Sequence, residues 1–295
     1  MIDNNLILGI DVGGSSIKFG LFLNKNLIEN GQVETPQTNS SDVITSINSI
    51  IYKYQNRISK VGIGFPSVVS KDYFVHIAPN ISGFVNVDLK ENICNQFPIL
   101  EIKIDNDANA AALAELKFGA GKNLTNMIYV TLGSGIGGAI IINKSIYYGD
   151  TFGAGEIGYT NFKFDEKPNH ILNRTGIFEE YLGRTQFTDY FNSKYNYNLS
   201  SPKDIYELAE LGNINAIEAF RYYGRLLGIG LTSVMNLLDI HHVIIGGGLI
   251  KAHKYIIPIV LKSIEQKKLP HIKEKVFVAK YLDNTGIYGA MALVC

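Results

Sequence analysis

Three glycine-rich turns, each behind an apolar run, are the part of this sequence best suited to chemistry: Asp11-Val-Gly-Gly-Ser-Ser-Ile-Lys18, Gly133-Ser-Gly-Ile-Gly-Gly138 and Gly246-Gly-Gly-Leu249. A turn without Cβ atoms lets several backbone N–H groups converge on one anion, which suits phosphate oxygens. A single turn of this kind reads as a tight hairpin. Three at strand ends, one of them holding Asp11, Ser15 and Lys18, point to phosphate. Neither a Walker-type loop nor a dinucleotide GxGxxG with a downstream acid is present. A second cluster, Asp105-Asn106-Asp107, precedes an alanine-rich stretch. Asp107 there suits a helix N-cap or a general base that takes a proton from a hydroxyl, and its residue type leaves both open.

The elements that must position these residues follow an α/β grammar of β-branched runs alternating with helical patterns. Strands are expected at Leu6–Ile10 and Ile17–Leu23, forming an opening hairpin, then at Val61–Phe65 and Ile99–Ile104. Helical spacing covers Val43–Tyr54, and Ala108–Phe118 is a helix stopped by Gly119. The same order of strand, glycine turn and strand restarts at Met127–Leu132 and Ala139–Ile142, so two similarly built halves are expected, with a boundary near Asp107. A long helix over Asn215–Leu238, a strand at Val243–Ile245, an amphipathic helix over Tyr255–Gln266, a strand at Val276–Ala279 and a closing helix at Gly286–Val294 complete the pattern.

Composition narrows the function classes. The 295 residues allow about two domains and a large core without staples. Lys+Arg and Asp+Glu balance at 27 each, so the chain carries no global charge footprint for nucleic acid or anionic lipid. Two cysteines make neither a disulfide framework nor a Cys-rich zinc site. With no signal-like N-terminus and no spanning apolar run, a soluble cytoplasmic protein without a membrane partner is expected.

The motifs Leu8-Gly-Ile-Asp-Val-Gly-Gly-Ser-Ser-Ile-Lys18, Pro79-Asn-Ile-Ser-Gly-Phe84, Asn106-Asp-Ala-Asn-Ala-Ala-Ala112, Thr131-Leu-Gly-Ser-Gly-Ile-Gly-Gly138, Gly155-Glu-Ile-Gly158 and Gly246-Gly-Gly248 occur in one order along nearly the whole chain. Together they resemble the ROK family of sugar kinases. The resemblance implies an actin-like, hexokinase-type (ribonuclease H-like) α/β fold with two duplicated lobes and an inter-lobe cleft. The lobes would be residues 1–106 plus 281–295 and residues 107–280. ROK repressors carry a helix-turn-helix ahead of the first phosphate motif, and here that motif begins almost at residue 8; with the neutral charge, the repressor reading is discounted.

The resemblance also assigns roles. Asp107 becomes the general base, Asn106 fixes a neighbouring hydroxyl, and Asn80, Glu156, Tyr159 and Glu179 complete a sugar site. Asp11 is expected to hold Mg²⁺, directly or through water, while Gly13, Gly14 and Ser15 face the phosphates. Thr131 and Gly133 would contact the transferring or β-phosphate, and Gly246 and Gly247 the adenosine. The expected partners are a hexose and ATP, in a homodimer.

The family's zinc pattern fails here. Tyr159 replaces its His, and its three Cys places fall on His170, Leu172 and Ile177, so no zinc is expected. The 160–175 loop would instead be packed by Phe162, Phe164 and Ile171, or close on sugar. Zinc-lacking relatives include polyphosphate-dependent kinases, and Lys117–Asn123 and Asn284–Gly289 resemble segments found there; the Lys267, Lys268, Lys273 and Lys275 cluster reads as a solvated face instead. The expected activity is ATP-dependent phosphorylation of a hexose, glucose at its 6-hydroxyl. The alternatives are polyphosphate as donor, mannose, fructose or an N-acetylated amino sugar as acceptor, and a non-catalytic sugar-binding protein.

Overall fold

The computed structural model describes residues 6–162, 176–281 and 284–295. The chain divides into two compact units: residues 1–122, 148–154 and 284–295 form the first, and residues 123–147 and 155–283 the second.

In the first unit the opening hairpin is present as β1 (Leu6–Val12) and β2 (Ser16–Leu23), extended by β3 (Asn26–Glu34). Helix α1 (Ser40–Tyr54) starts at Asn39, whose side chain accepts the Asp42 N–H, and buries Val43, Ile47, Ile50, Ile51 and Tyr54 on one face. Next come β4 (Lys60–Phe65), the β5 (Phe74–Ile77) and β6 (Val85–Asp88) pair, α2 (Leu89–Asn92), β7 (Glu101–Asn106) and α3 (Asp107–Phe118). The sheet order is β3-β2-β1-β4-β7, with β1, β4 and β7 parallel. Leu8, Ile10, Val61 and Ile63 on those parallel strands are fully buried, as strands covered on both faces require.

The second unit repeats this plan. β8 (Met127–Leu132), β9 (Ile136–Ile142) and β10 (Ser145–Ile146) are antiparallel neighbours. After α4 (Glu179–Leu182), α5 (Arg184–Tyr195), α6 (Pro202–Glu210) and α7 (Ile214–Leu238), β11 (His242–Gly246) joins β8 in parallel; α8 (His253–Lys267) and β12 (Lys275–Val278) follow. Its order, β10-β9-β8-β11-β12, matches the first sheet position for position. Phe187, Phe220, Leu227, Leu231, Ile245 and Val260 lie in its own core. None of the described helices is long and apolar enough to cross a membrane.

The final helix, α9 (Thr285–Leu293), belongs to the first unit. There it meets α3: a Cβ on Gly289 would come within 3.0 Å of the Ala110 and Ala111 backbone. That approach also sets the division of the chain, because α3 stays with the first unit instead of opening the second, as a boundary at Asp107 would have it. The alanine face that marks α3 as a helix is the surface that receives α9.

Candidate functional site

In the first unit the strands β1, β4 and β7 end together, and their carboxyl ends are where ligands gather in parallel sheets. Asp11 stands opposite Gly64 in β4, and Gly64 opposite Asp105 in β7. A Cβ on Gly64 would lie 3.6 Å from the Asp107 Cα and 3.8 Å from Asp11 Oδ1, so both acids border one patch of bare backbone. Burial pushes the Asp11 carboxyl up to about 6, and Lys18, its cross-strand neighbour, opposes this. The same carboxylate lies against Gly286 in the first turn of α9, where any Cβ would sit 2.0 Å from Oδ2. The positive end of that helix favours a negative charge there.

The turn that follows β1 is held by its carbonyls. Thr35 Oγ1 donates to Gly13 O (2.6 Å), Gln37 Nε2 to Gly14 O (2.8 Å) and Thr35 N–H to Ser15 O (3.1 Å). Because a trans peptide sets its N–H opposite its C=O, the Gly14, Ser15 and Ser16 N–H groups point the other way. Gly13 does not join them as expected, since its N–H closes the turn onto Ser16 O at 3.0 Å. Asn80 is exposed beside this turn, its carbonyl 2.8 Å from where a Gly14 Cβ would be.

At the start of α3 the two readings of Asp107 separate. Asn106 is the cap: its Oδ1 accepts from Ala108 N–H (2.9 Å) and Asn109 N–H (3.1 Å), while its Nδ2 donates to Ser67 O (3.2 Å). Asp107, the first residue of the helix, shares the Ala108 N–H, at 2.8 Å. Asn106 therefore orients the helix that carries Asp107.

In the second unit, the turn Gly133–Gly138 closes through Gly133 N–H to Gly135 O, and the carbonyls of Gly133 and Ser134 both accept from Arg184 N–H at the start of α5 (3.2 and 3.3 Å). The Ser134 and Gly135 N–H groups are thereby turned outward. Thr131 stands between Gly137 and Gly246 in register. Gly133 has open space where a Cβ would be. The two later glycines do not: a Cβ on Gly246 would lie 2.3 Å from the Tyr129 hydroxyl, and one on Gly247, at φ +87°, 2.3 Å from the Leu132 carbonyl oxygen. Contacts within their own unit thus give both positions a reason to be glycine. Gly248, next to them, is the open position.

Gly155, at φ +95° and pressed onto Ala139, turns the chain so that Glu156 precedes a 3₁₀ turn over Ile157–Tyr159. Tyr159 is 51% exposed. Glu179 opens α4, and its Oε2 accepts the Ile136 N–H at 2.9 Å, so this carboxylate also touches the glycine turn. Sequence reasoning missed this second contact, and no local signal carries it. Of the positions compared with the zinc pattern, Ile177 is buried, whereas His170 and Leu172 lie outside the described residues. So do Phe164 and Ile171; Phe162 packs on Phe178 and Tyr181, with ring centroids 5.3 Å away in each case.

Lys117 donates to Ala292 O and Cys295 O, at 2.8 Å each, and so holds the end of the chain. Lys268 pairs with Glu265 and Glu274. The family-implied Mg²⁺ fits the donor chemistry. Asp11 is a hard oxygen ligand whose burial disfavours its bare charge, and among the described residues no group of three His, Cys, Asp or Glu is arranged to hold a metal by itself. One carboxylate, with water and phosphate oxygens in the other positions, is how Mg²⁺ is commonly held.

Similar proteins fall into two functional groups. The chain is 32% identical over 268 residues to the xylose repressor of Bacillus subtilis (strain 168), covering 88% of this chain and 67% of that protein. It is 26% identical to the glucokinase of Halalkalibacterium halodurans over 97% of this chain and 94% of that one. Among solved structures, a ROK family glucokinase from Streptomyces griseus in complex with glucose and AMPPNP superposes with a TM-score of 0.82 at 27% identity, covering 98% of each chain. The fold is the actin-like, hexokinase-type fold expected from the motifs. The ROK family pattern runs from the second residue of β1 to the last residue of the sequence, residues 7–295, and the chain belongs to the ROK family.

Proposed function

We propose that the protein is an ATP-dependent hexose kinase that phosphorylates glucose at its 6-hydroxyl. The observation that carries this reading is the pairing of Asp11 and Asp107 across Gly64, which provides a metal-holding acid and a proton-accepting acid at one group of strand ends. Asp107 accepts the hydroxyl proton as the sugar oxygen attacks the terminal phosphoryl group and ADP departs. With Asn106 capping α3, Asp107 is not needed to satisfy the helix end. The outward N–H groups of Gly14, Ser15, Ser134 and Gly135 hold phosphate oxygens, and Asn80, Glu156, Tyr159 and Glu179 hold the sugar. Mg²⁺, when bound at Asp11, neutralises charge on the phosphates. The glucokinase from Streptomyces griseus supports the choice of sugar and nucleotide.

Asp107→Asn should lower turnover at least about a hundredfold, since a general base contributes 10²–10⁴-fold. A coupled assay crossing glucose, mannose, fructose, N-acetylglucosamine and xylose with ATP and polyphosphate tests the whole reading. A second reading, a sugar-responsive regulator without catalysis, is favoured by the identity to the xylose repressor. Sugar binding by calorimetry, with no product from any donor, would establish that reading instead.

A further inference from the structure

The glycine turn Gly133–Gly138 is held from two neighbouring elements, the short helix α4 and the start of α5. At the start of α4, Glu179 Oε2 accepts the Ile136 N–H at 2.9 Å. At the start of α5, Arg184 N–H donates to the carbonyls of Gly133 and Ser134, and the cap residue Gly183 lies so close that a Cβ on it would be 3.1 Å from Ser134 O. Two further glycines give the Glu179 carboxylate its space. A Cβ on Gly135 would sit 1.9 Å from Oε2, and one on Gly158 would sit 3.4 Å from both Oε2 and the Glu179 Cβ. Gly135 belongs to the phosphate turn and Gly158 to the Gly155-Glu-Ile-Gly158 motif assigned to sugar. One carboxylate thus fits into a recess built from both motifs, and it holds the backbone of one of them.

A carboxylate in that position cannot move without moving the turn. The bond to Ile136 N–H fixes the end of the turn next to β9, and the two bonds from Arg184 fix its beginning, so the outward N–H groups of Ser134 and Gly135 are set between one point held from α4 and one held from the start of α5. We propose that Glu179 is a positioning residue for the phosphate turn in addition to its role toward sugar, and that it couples occupancy of the sugar site to the shape of the turn. The identity of the two ligands rests on the kinase reading; the brace itself rests on the contacts of Glu179. Binding at either end of such a carboxylate changes affinity at the other by the same factor, because coupling is reciprocal.

The experiment compares Glu179→Ala, which loses the acceptor, with Glu179→Gln, which keeps a carbonyl oxygen for the Ile136 N–H. Two readouts on the full chain without sugar are used: affinity for AMPPNP with Mg²⁺, and amide hydrogen exchange across residues 133–138. Glu179→Ala should weaken AMPPNP about tenfold, on the scale of one net hydrogen bond to a charged group, and speed exchange in 133–138 by a similar factor. Exchange in β11 should stay at the wild-type rate. Glu179→Gln should restore both readouts to within about twofold while remaining weaker for glucose. Wild-type exchange in 133–138 for Glu179→Ala overturns the brace, whatever the chain binds. Faster exchange with unchanged AMPPNP affinity overturns the positioning role. If the wild-type chain phosphorylates no hexose and binds no AMPPNP, the kinase reading fails, and the exchange comparison still decides the brace.

Discussion

The glycines at the glycine-rich turns are chemically identical but structurally different, and the difference is testable residue by residue. Gly133 has open space around its missing Cβ, so nothing in its own unit demands a glycine. A Cβ on Gly246 would lie 2.3 Å from the Tyr129 hydroxyl, so its own fold does. Gly133→Ala should leave stability within about 0.5 kcal/mol of wild type, the range for substitutions that touch nothing, while weakening AMPPNP binding. Gly246→Ala should instead cost about 1–3 kcal/mol through overpacking. Urea melts and nucleotide titrations on the two variants check the contrast; equal stability losses would place both glycines in the fold and neither at a ligand.

At the scale of elements, the segment Tyr148–Ala154 packs with the first unit although the residues on either side of it belong to the second. Its anchor is a buried polar contact: Tyr148 hydroxyl donates to Asp105 Oδ2 at 2.7 Å, while Asp105 Oδ1 accepts from Asn106 N–H (2.7 Å) and Asn109 Nδ2 (3.0 Å). Burial raises the Asp105 carboxyl above its ordinary range, and these donors oppose that shift. Its folded value exceeds its unfolded one, so ionisation of Asp105 works against the fold as pH rises from about 4. The Tyr148 hydroxyl reduces this penalty, and it does so for the ionised form. Tyr148→Phe should therefore cost about 1.5–3 kcal/mol at pH 8, the scale of a hydrogen bond to a charged group, and distinctly less at pH 4.5. Denaturant melts at the two pH values measure this, and an equal loss at both would reduce the contact to packing.

For the whole molecule, the two sheets of identical order each have a core of their own, and a ligand that binds only the folded chain must stabilise it. At one hundred times its dissociation constant a sugar adds about 2.7 kcal/mol, which in a chain of this size raises Tm by roughly 4–5 °C. Glucose should give this shift and xylose should leave Tm within about 1 °C of the free protein. A larger shift with xylose would favour the regulator reading over the kinase. Much of this architecture was legible in the sequence. Strands such as Val61–Phe65 and Met127–Leu132 are buried on both faces and read as unbroken apolar runs. The edge strand Asn26–Glu34 was not, because most of its residues are exposed and its apolar content is low. Helix α5 left no clear pattern either, since only Phe187, Thr188 and Phe191 of its twelve residues are buried.

By itself, the sequence determined the family, the duplicated grammar of strand, turn and strand, and the carboxylates worth examining, because these depend on residue type and on spacing along the chain. Tertiary structure alone decided how those residues divide the work. Asn106 caps α3 and shares the Ala108 N–H with Asp107, Gly246 and Gly247 answer to Tyr129 and Leu132, and Glu179 reaches across forty-three residues of sequence to hold Ile136. A cap, a missing Cβ and a brace are each defined by what lies a few ångströms away in space. Spacing along the chain carries no information about that neighbour until the sheets and helices have brought it there.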